Sequence, residues 1–266
     1  KSPQKKIILI FATALLTIIL SACGNNQKDT DSDNQLEAVD KDKVKVVTSF
    51  SMIEDMAKEI GGKHVEVTNL VPTGTDPHDY EPQPSDIKHL SQADLVFYNG
   101  LNLEGGDQGW LSKALSSTDF SKKNAIKVSE GVSPKYIKDE DGNKEVNPHA
   151  FIDPNVGEKM IKNITKSLSK RNPKYKSYYE ANEKEYLKKL NNIEDDYNQQ
   201  LGSIPEEDRV FVASEQAFQY LTDRYDLKEG YIWPIDTDEN GTPNQIKDLT
   251  KFIKSNKPAT LFVESN

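Results

Sequence analysis

From Val44 onward, short apolar runs alternate with amphipathic segments of helical spacing. The pattern predicts strands over 44–50, 64–71, 93–100 and 124–129, and helices over 51–62, 85–92 and 158–171. Strands that alternate with helices along a chain pair in parallel, with the helices covering both faces of the sheet. This part of the chain is therefore predicted to be an α/β lobe, over residues 44–170.

Polar residues mark the ends of these predicted elements. Ser51 with Glu54 three residues later is typical of a capping box, and Gly61 indicates the end of the same helix. Ser85 is expected to begin the next helix. Residues 129–148 are polar and predict a loop.

The longest predicted element is a helix that begins after Asn172 and Pro173, an N-cap and first-turn proline pair. Apolar or aromatic side chains recur along it mostly every three or four residues, at Tyr175, Tyr179, Tyr186, Leu190, Ile193, Tyr197 and Leu201. Gly202 and Pro205 end the pattern. About 28 residues at 1.5 Å each would span about 42 Å. We therefore expect residues 171–203 to form a rigid helix that joins two lobes.

A second α/β lobe is predicted over residues 204–266. The pattern indicates strands or extended segments over 209–214, 230–235 and 258–266, and helices over 215–225 and 242–256. Thr242 and Gln245 form a predicted capping box, with Pro243 at the first helical position. Because the last predicted strand runs to Asn266, we expect this lobe to be incomplete.

The first 22 residues have the layout of a secretory signal peptide. Three lysines precede an apolar run from Ile7 to Leu20, which is shorter than the roughly 20 apolar residues of a typical transmembrane helix. The segment ends in "LSAC", which resembles a bacterial lipobox and predicts lipidation of Cys23; the alternative is a chance cysteine in an ordinary signal peptide. A single cysteine also excludes an intramolecular disulfide and a metal site built from cysteines.

Residues 23–43 are predicted to be a flexible tether, because they contain almost nothing that folding could bury. The formal net charge is −9, and removal of a signal peptide with three lysines and no acidic residue takes it to −12. Such acidity argues against nucleic acid as a partner and mildly favours cations.

Two of the four histidines share an unusual setting. His78 in "TDPHDY" and His149 in "VNPHAF" each follow a proline and stand two residues before an aromatic residue. Proline stiffens a loop and so lowers the entropy lost when an imidazole is held in place. Neutral imidazole is the commonest metal ligand in proteins. The alternative is a pair of loop histidines that cap turns or hydrogen-bond carbonyl groups.

Glu215 is a third candidate ligand. It follows "RVFVAS" at the carboxyl end of a predicted strand, where open α/β sheets place their ligands. The alternative is a first-turn glutamate that interacts with the helix dipole behind Ser214 as N-cap. His64 and His89 lack the Pro-His-x-aromatic context and are expected to be structural or solvated.

Several segments together resemble a known family. They are "VTSFSMIEDMAKEIGG", "VPTGTDPHDYEPQPSDIKHLSQADLVFYNGLNLE", "NPHAFIDPNVG", "ASEQAFQYL" and "GYIWPIDTDENGTPNQI". In order and spacing they resemble the metal-binding lipoproteins that serve as substrate-binding subunits of bacterial ABC importers, specifically the manganese or iron branch, also described as lipoprotein adhesins. The resemblance runs from the lipobox to the last residue.

This resemblance implies two α/β lobes joined by one rigid helix, with one metal ion held between them by two ligands from each lobe. His78 and His149 match the two ligands of the N-terminal lobe, and Glu215 matches the first ligand of the C-terminal lobe. The fourth ligand of the family is an aspartate, expected beyond Asn266. Zinc-uptake relatives tend to carry a third histidine at the Glu215 position and a His-rich loop, whereas residues 129–146 contain no histidine.

The resemblance also implies a function. The chain is expected to capture Mn²⁺, with Fe²⁺ or Zn²⁺ as alternatives, outside the membrane and to deliver it to an ABC permease with its ATPase. It is expected to be a monomer anchored by the lipid on Cys23, and not an enzyme. One competing hypothesis is a secreted zinc hydrolase, because two histidines and a glutamate with an open fourth position form a known catalytic ligand set. Another is a surface adhesin with a host-protein partner.

Overall fold

Four parallel strands form the first sheet in the computed structural model, which describes residues 43–138, 142–235 and 241–263. The strands are β1 (Val44–Thr48), β2 (Val65–Asn69), β3 (Leu95–Tyr98) and β4 (Ala125–Lys127). Their order across the sheet is β2-β1-β3-β4. All three strand pairs are parallel, which confirms the predicted sheet.

Four helices accompany this sheet: α1 (Ser51–Gly61), α2 (Pro84–Gln92), α3 (Trp110–Ser116) and α4 (Pro154–Arg171). The buried residues of α4 recur at helical spacing, including Met160, Ile164 and Leu168, each fully inaccessible to solvent. Together with Ile53 of α1 and Phe97 of β3 they belong to one continuous hydrophobic core. Burying each such side chain contributes roughly 1.5–3 kcal/mol to the free energy of folding. The core therefore holds the strands and helices in place, and with them the loops that connect these elements.

Two predicted helix starts were wrong in detail. The N-cap of α1 is Phe50, and the side chain of Glu54 accepts a hydrogen bond from Lys58 on the following turn (2.5 Å), so Ser51 and Glu54 form no capping box. The helix ends at Gly61 as predicted. Helix α2 begins one residue before Ser85, behind a capping box in which Gln83 is the N-cap residue and Asp86 its partner.

The predicted loop over 129–148 was also wrong in part, because it contains an antiparallel hairpin of β5 (Tyr136–Lys138) and β6 (Lys144–Val146). Ile137 is its buried side chain, between exposed Tyr136 and Lys138. An isolated three-residue alternation is too short to be distinguished from a loop in the sequence.

The long helix α5 spans Lys176–Gly202 and follows a single 3₁₀ turn over Pro173–Tyr175. The start was thus predicted three residues too early. Its 27 residues extend about 40 Å. Helix α5 packs against α1 and α4, where Tyr179 is completely buried, but Ile193 farther along is 43% exposed. At least one member of the predicted apolar stripe, Ile193, is therefore exposed to solvent.

A second, two-stranded parallel sheet follows α5. It consists of β7 (Val210–Val212) and β8 (Lys228–Gly230), with helices α6 (Gln219–Arg224) and α7 (Pro243–Asn256). The helix predicted to begin at residue 215 instead opens with a 3₁₀ turn over Gln216–Phe218. The Thr242–Gln245 capping box of α7 is confirmed.

The strand predicted over 258–266 is not formed in its described part, residues 258–263. One strand-like contact remains, since the Phe262 N–H donates to the carbonyl of Val212 in β7 (2.9 Å). One backbone hydrogen bond is too few to form a β-ladder, but it shows that this segment lies beside the sheet of β7 and β8.

The α/β fold class is therefore confirmed, with parallel sheets before and after the long helix. The predicted signal peptide (1–22), Cys23 and the tether up to residue 42 lie outside the described residues. Within the described ranges, no helix combines the length and the apolar character that crossing a membrane requires.

Candidate metal centre

Three side chains from separate parts of the chain meet at one point. His149 Nε2 lies 3.3 Å from His78 Nε2 and 3.5 Å from Glu215 Oε1. The ligand atoms of the three residues all lie within 4.8 Å of one another. The structure thus brings together the three candidate residues predicted from the sequence, although the two histidines are 71 positions apart in the chain.

His78 lies on the loop that follows β2. Its backbone N–H donates to the carboxylate of Asp76 two residues earlier (2.8 Å), and the indole N–H of Trp110 donates to the carbonyl of Pro77 (2.8 Å). The Tyr80 hydroxyl donates to Asp86 at the start of α2 (2.7 Å). Burial and this carboxylate raise the pKa of Tyr80 to about 12. The loop is therefore held on both sides of the imidazole.

His149 begins a 3₁₀ turn, His149–Ile152, that leads into α4, and it is only 6% exposed. The Asn99 amide at the end of β3 donates to the carbonyl of Pro148 (3.0 Å). Asn99 belongs to a buried polar cluster, because its backbone N–H donates to the Glu104 carboxylate (2.7 Å). The carboxyl end of the first sheet thereby supports the turn that carries His149.

Glu215 lies where β7 continues beyond its last ladder pair. The Ile232 N–H donates to the carbonyl of Ser214 (2.8 Å), and the Gln216 N–H donates to that of Trp233 (3.0 Å). Glu215 is 4% exposed, and its carboxylate is directed toward His149. Glu215 precedes a helical turn, as the dipole alternative requires, but its carboxylate also lies 3.5 Å from the imidazole of His149, which belongs to the part of the chain before α5.

Burial dominates the electrostatics of His149. Desolvation, reinforced by the neighbouring His78, lowers the pKa of His149 to about 3. The imidazole is therefore neutral at physiological pH, the protonation state in which a histidine binds a metal. Two imidazole nitrogens and a carboxylate oxygen are donors suited to Mn²⁺, Fe²⁺ or Zn²⁺, so the residues fit a first-row divalent ion.

The other two histidines lie elsewhere. His64 is buried and stacks on Tyr175 with ring centroids 3.6 Å apart, while His89 is on an exposed part of α2. Neither belongs to the three-residue group that the described part of the chain offers to a metal.

Asn147 is a polar residue of the site that was not predicted from the sequence. Its side-chain oxygen lies 2.9 Å from His149 Nδ1, and its amide donates to the carbonyl of Gln216 (2.9 Å). The Tyr220 hydroxyl donates to its backbone carbonyl (2.8 Å). The sequence offered one indication of its role: Asn147 lies two residues before His149, directly before the proline of the Pro-His pair.

Known proteins of similar sequence and structure bind metals, in agreement with the α/β fold and the cluster of His78, His149 and Glu215. Parallel sheets flanked by helices, together with a cluster of potential metal ligands, define a class of α/β metal-binding proteins. The sequence pattern of the zinc-uptake complex component A (ZnuA) periplasmic family matches residues 46–266. The chain belongs to this family.

Two curated relatives cover nearly the whole chain. The manganese ABC transporter substrate-binding lipoprotein PsaA of Streptococcus mitis is 40% identical over 99% of this chain and 83% of its own length. The iron ABC transporter substrate-binding lipoprotein MtsA of Streptococcus pyogenes serotype M6 is 38% identical over 98% and 82%. These names give no support to the zinc-hydrolase hypothesis.

A solved structure shares the fold. The manganese-bound periplasmic metal-binding protein from Candidatus Liberibacter asiaticus is 32% identical, with a TM-score of 0.74. The similarity covers 84% of this chain and 80% of that one.

Proposed function

We propose that the chain captures a divalent metal ion, Mn²⁺ in the first place, and delivers it to an ABC importer. The observation that carries this proposal is the convergence of His78, His149 and Glu215, with ligand atoms within 4.8 Å of one another. Family membership supports it, because the relatives named above are substrate-binding lipoproteins for manganese and iron.

The arrangement supports a capture mechanism. His78 and His149 belong to the part of the chain before α5, and Glu215 to the part after it. An ion that binds both parts favours the arrangement in which they are close, and a permease can distinguish loaded from empty protein by that arrangement. We propose the lobe boundaries 44–170 and 204–266 for these two parts, with 171–203 as the linking helix.

The donor set bears on the choice of metal. Two imidazoles and a carboxylate form a harder site than three imidazoles, which suits Mn²⁺ and Fe²⁺ in ligand character. Intrinsic affinity still ranks Zn²⁺ above Mn²⁺. Selectivity must then come from geometry, metal supply and the transporter, and Zn²⁺ is expected to bind in vitro.

The partners follow from the same proposal. The ion passes to a permease driven by its ATPase, and the chain acts as a non-enzymatic monomer outside the cytoplasm. Lipid on Cys23 anchors it to the membrane through the tether. The lipobox-like sequence "LSAC" and the lipoprotein names of the relatives support this anchoring.

Titration calorimetry with Mn²⁺ and with Zn²⁺ tests the proposal. We expect binding at micromolar concentrations or tighter. We expect His149→Gln to weaken it about 100-fold or more, since loss of a supporting residue alone typically costs 10–100-fold. His89→Gln, the same substitution on an exposed helix, is the matched control and should leave affinity unchanged. Absence of binding of both metals, or equal affinity of His149→Gln and wild type, would contradict the proposal.

A further inference from the structure

Asn147 connects the two halves of the candidate metal centre. It is completely buried, precedes His149 by two residues, and reaches the peptide that follows Glu215, 69 residues away. The inference drawn from it rests on the proposed function of the cluster. It concerns what holds the cluster in a binding geometry.

The orientation of the Asn147 amide is fixed by groups that have only one hydrogen-bonding role. The backbone N–H of His149 can only donate, and it lies 3.1 Å from Oδ1. The carbonyl of Gln216 can only accept, and it lies 2.9 Å from Nδ2. Both contacts require the oxygen to face His149 and the nitrogen to face Gln216.

This orientation determines the tautomer of His149. The same Oδ1 lies 2.9 Å from His149 Nδ1, and an amide oxygen can only accept a hydrogen bond. Nδ1 must therefore carry the proton of the neutral ring. The lone pair of the ring is then on Nε2, the atom that lies near His78 and Glu215.

The other end of Asn147 reaches the segment of Glu215. The Gln216 carbonyl that accepts from Nδ2 belongs to the residue directly after Glu215, and the N–H of Gln216 continues the pairing of β7 with the segment at Trp233. Tyr220 of α6 holds the backbone of Asn147 through its hydroxyl (2.8 Å). A displacement of Glu215 relative to the first sheet therefore has to strain or break the contacts of Asn147.

We propose that Asn147 is a positioning residue for metal capture: it holds His149 in the tautomer whose Nε2 can bind the ion, and it joins that imidazole to the segment of Glu215. Supporting hydrogen bonds to the second ring nitrogen commonly orient histidine ligands and raise their basicity. In this chain the supporting group also spans the two parts between which the ion is held.

Nitrogen NMR of the metal-free full chain labelled with ¹⁵N-histidine, at about pH 8, tests the tautomer directly. Four histidines give four ring spin systems, and His→Gln substitutions assign them. Wild type should show His149 protonated at Nδ1. Asn147→Ala should shift the ring toward the Nε2–H tautomer, because no side-chain acceptor then faces Nδ1 and Glu215 can accept from Nε2. A wild-type ring protonated at Nε2, or an unchanged ring in Asn147→Ala, would overturn the inference.

Two further variants separate this role from general damage to the fold. Asn147→Asp keeps an oxygen for the ring and should restore the Nδ1–H tautomer, whereas it loses the donor to Gln216. Gln219→Ala removes a side chain that accepts from the Asn147 amide (3.3 Å) and leaves Asn147 Oδ1 in place beside His149 Nδ1, so the tautomer should be unchanged. Failure of Asn147→Asp to restore the tautomer would count against the inference.

Calorimetry then connects the tautomer to capture. Asn147→Ala should bind Mn²⁺ about 10–100-fold more weakly than wild type, the range for loss of a supporting group. Unchanged affinity would overturn the positioning role. Failure of wild type to bind any metal would instead contradict the proposed function, while the tautomer measurement, made without metal, still decides what Asn147 does to His149.

Discussion

At the scale of single residues, Glu104 illustrates how a buried carboxylate can support a site without touching it. It is 3% exposed and accepts hydrogen bonds from the Ser49 hydroxyl (2.7 Å) and the backbone N–H groups of Asn99 (2.7 Å) and Gly100 (3.0 Å). Burial raises its pKa despite these donors. Leu101 and Asn102, which follow Gly100, both have positive φ (51° and 72°), so the carboxylate stabilises a loop that is costly for side-chain-bearing residues.

Glu104→Ala should lower the free energy of unfolding by about 2–4 kcal/mol, because each buried donor left without an acceptor costs about 1–3 kcal/mol. Urea denaturation measures this. Ser49→Ala, which removes only one of the donors, should cost about 1 kcal/mol. A smaller loss for Glu104→Ala than for Ser49→Ala would show that the carboxylate does not organise this loop.

Glu229 on β8 predicts a pH dependence of stability. Desolvation raises its pKa from 4.5 to about 7, against a smaller lowering by hydrogen bonding from Gln216. The folded state therefore binds this proton more tightly than the unfolded state, and the contribution of Glu229 is most favourable below about pH 4.5 and is lost as pH rises toward 7.

Comparison with Glu229→Gln isolates this contribution, because the depressed pKa of His149 acts in the opposite direction and is present in both proteins. The stability of wild type minus that of Glu229→Gln should fall steadily between pH 4.5 and about 7, as followed by urea denaturation. A difference that is constant over this interval would mean that Glu229 titrates normally in the folded protein.

The candidate ligands could be predicted from the sequence, whereas their support could not. His78 and His149 share a Pro-His-x-aromatic context, and Glu215 follows an apolar run, so each carries a local signal. Asn147 and Glu104 act through contacts with residues up to 73 positions away, and nothing in their neighbours specifies those partners. Their roles depend on the folded sheets.

At the scale of elements, Arg224 at the end of α6 links three helices. Its guanidinium donates to Asp153, the N-cap residue of α4 (2.6 Å), and to Glu194 of α5. The Arg224 side chain is 23% exposed. We therefore expect the contribution of this network to stability to lie between that of a surface ion pair and that of a buried one. The network thus joins α5 to α4, which follows His149, and to α6, which follows Glu215.

Arg224→Gln should lower stability by about 1–2 kcal/mol, more than the 0.2–1 kcal/mol of an exposed pair, because two carboxylates lose a shared partner. Lys58→Ala breaks an exposed pair with Glu54 on one helix and should cost about 0.5 kcal/mol or less. Denaturation at low and high salt measures both. Equal costs for the two substitutions would argue that the network contributes only surface electrostatics.

The helices and strands that were predicted correctly are those with a strong local pattern in the sequence. The Thr242–Gln245 capping box and the parallel strands were found because caps and apolar runs are encoded within a few residues. Helix α3 was not predicted because it has only seven residues. The β5–β6 hairpin was not predicted because contacts with α6 stabilise it, such as the hydrogen bond that Gln219 donates to the carbonyl of Tyr136 (3.1 Å). Such tertiary stabilisation has no local pattern.

At the scale of the whole molecule, metal binding and stability should be linked. An ion that binds the folded chain but not the unfolded chain stabilises it by about 2.7 kcal/mol at a free concentration 100 times its Kd. Thermal unfolding with Mn²⁺ should therefore occur at higher temperature than unfolding with a chelator. His78→Gln should show a much smaller shift, and an equal shift in wild type and His78→Gln would indicate that Mn²⁺ acts elsewhere on this acidic chain.

Anomalous diffraction from crystals of the chain grown with Mn²⁺ tests the central claim most directly, since it locates the ion independently of any change in stability. The account predicts one strong peak within coordination distance of His78 Nε2, His149 Nε2 and a carboxylate oxygen of Glu215. A manganese peak away from these three atoms, or none near them at saturating Mn²⁺, would contradict it.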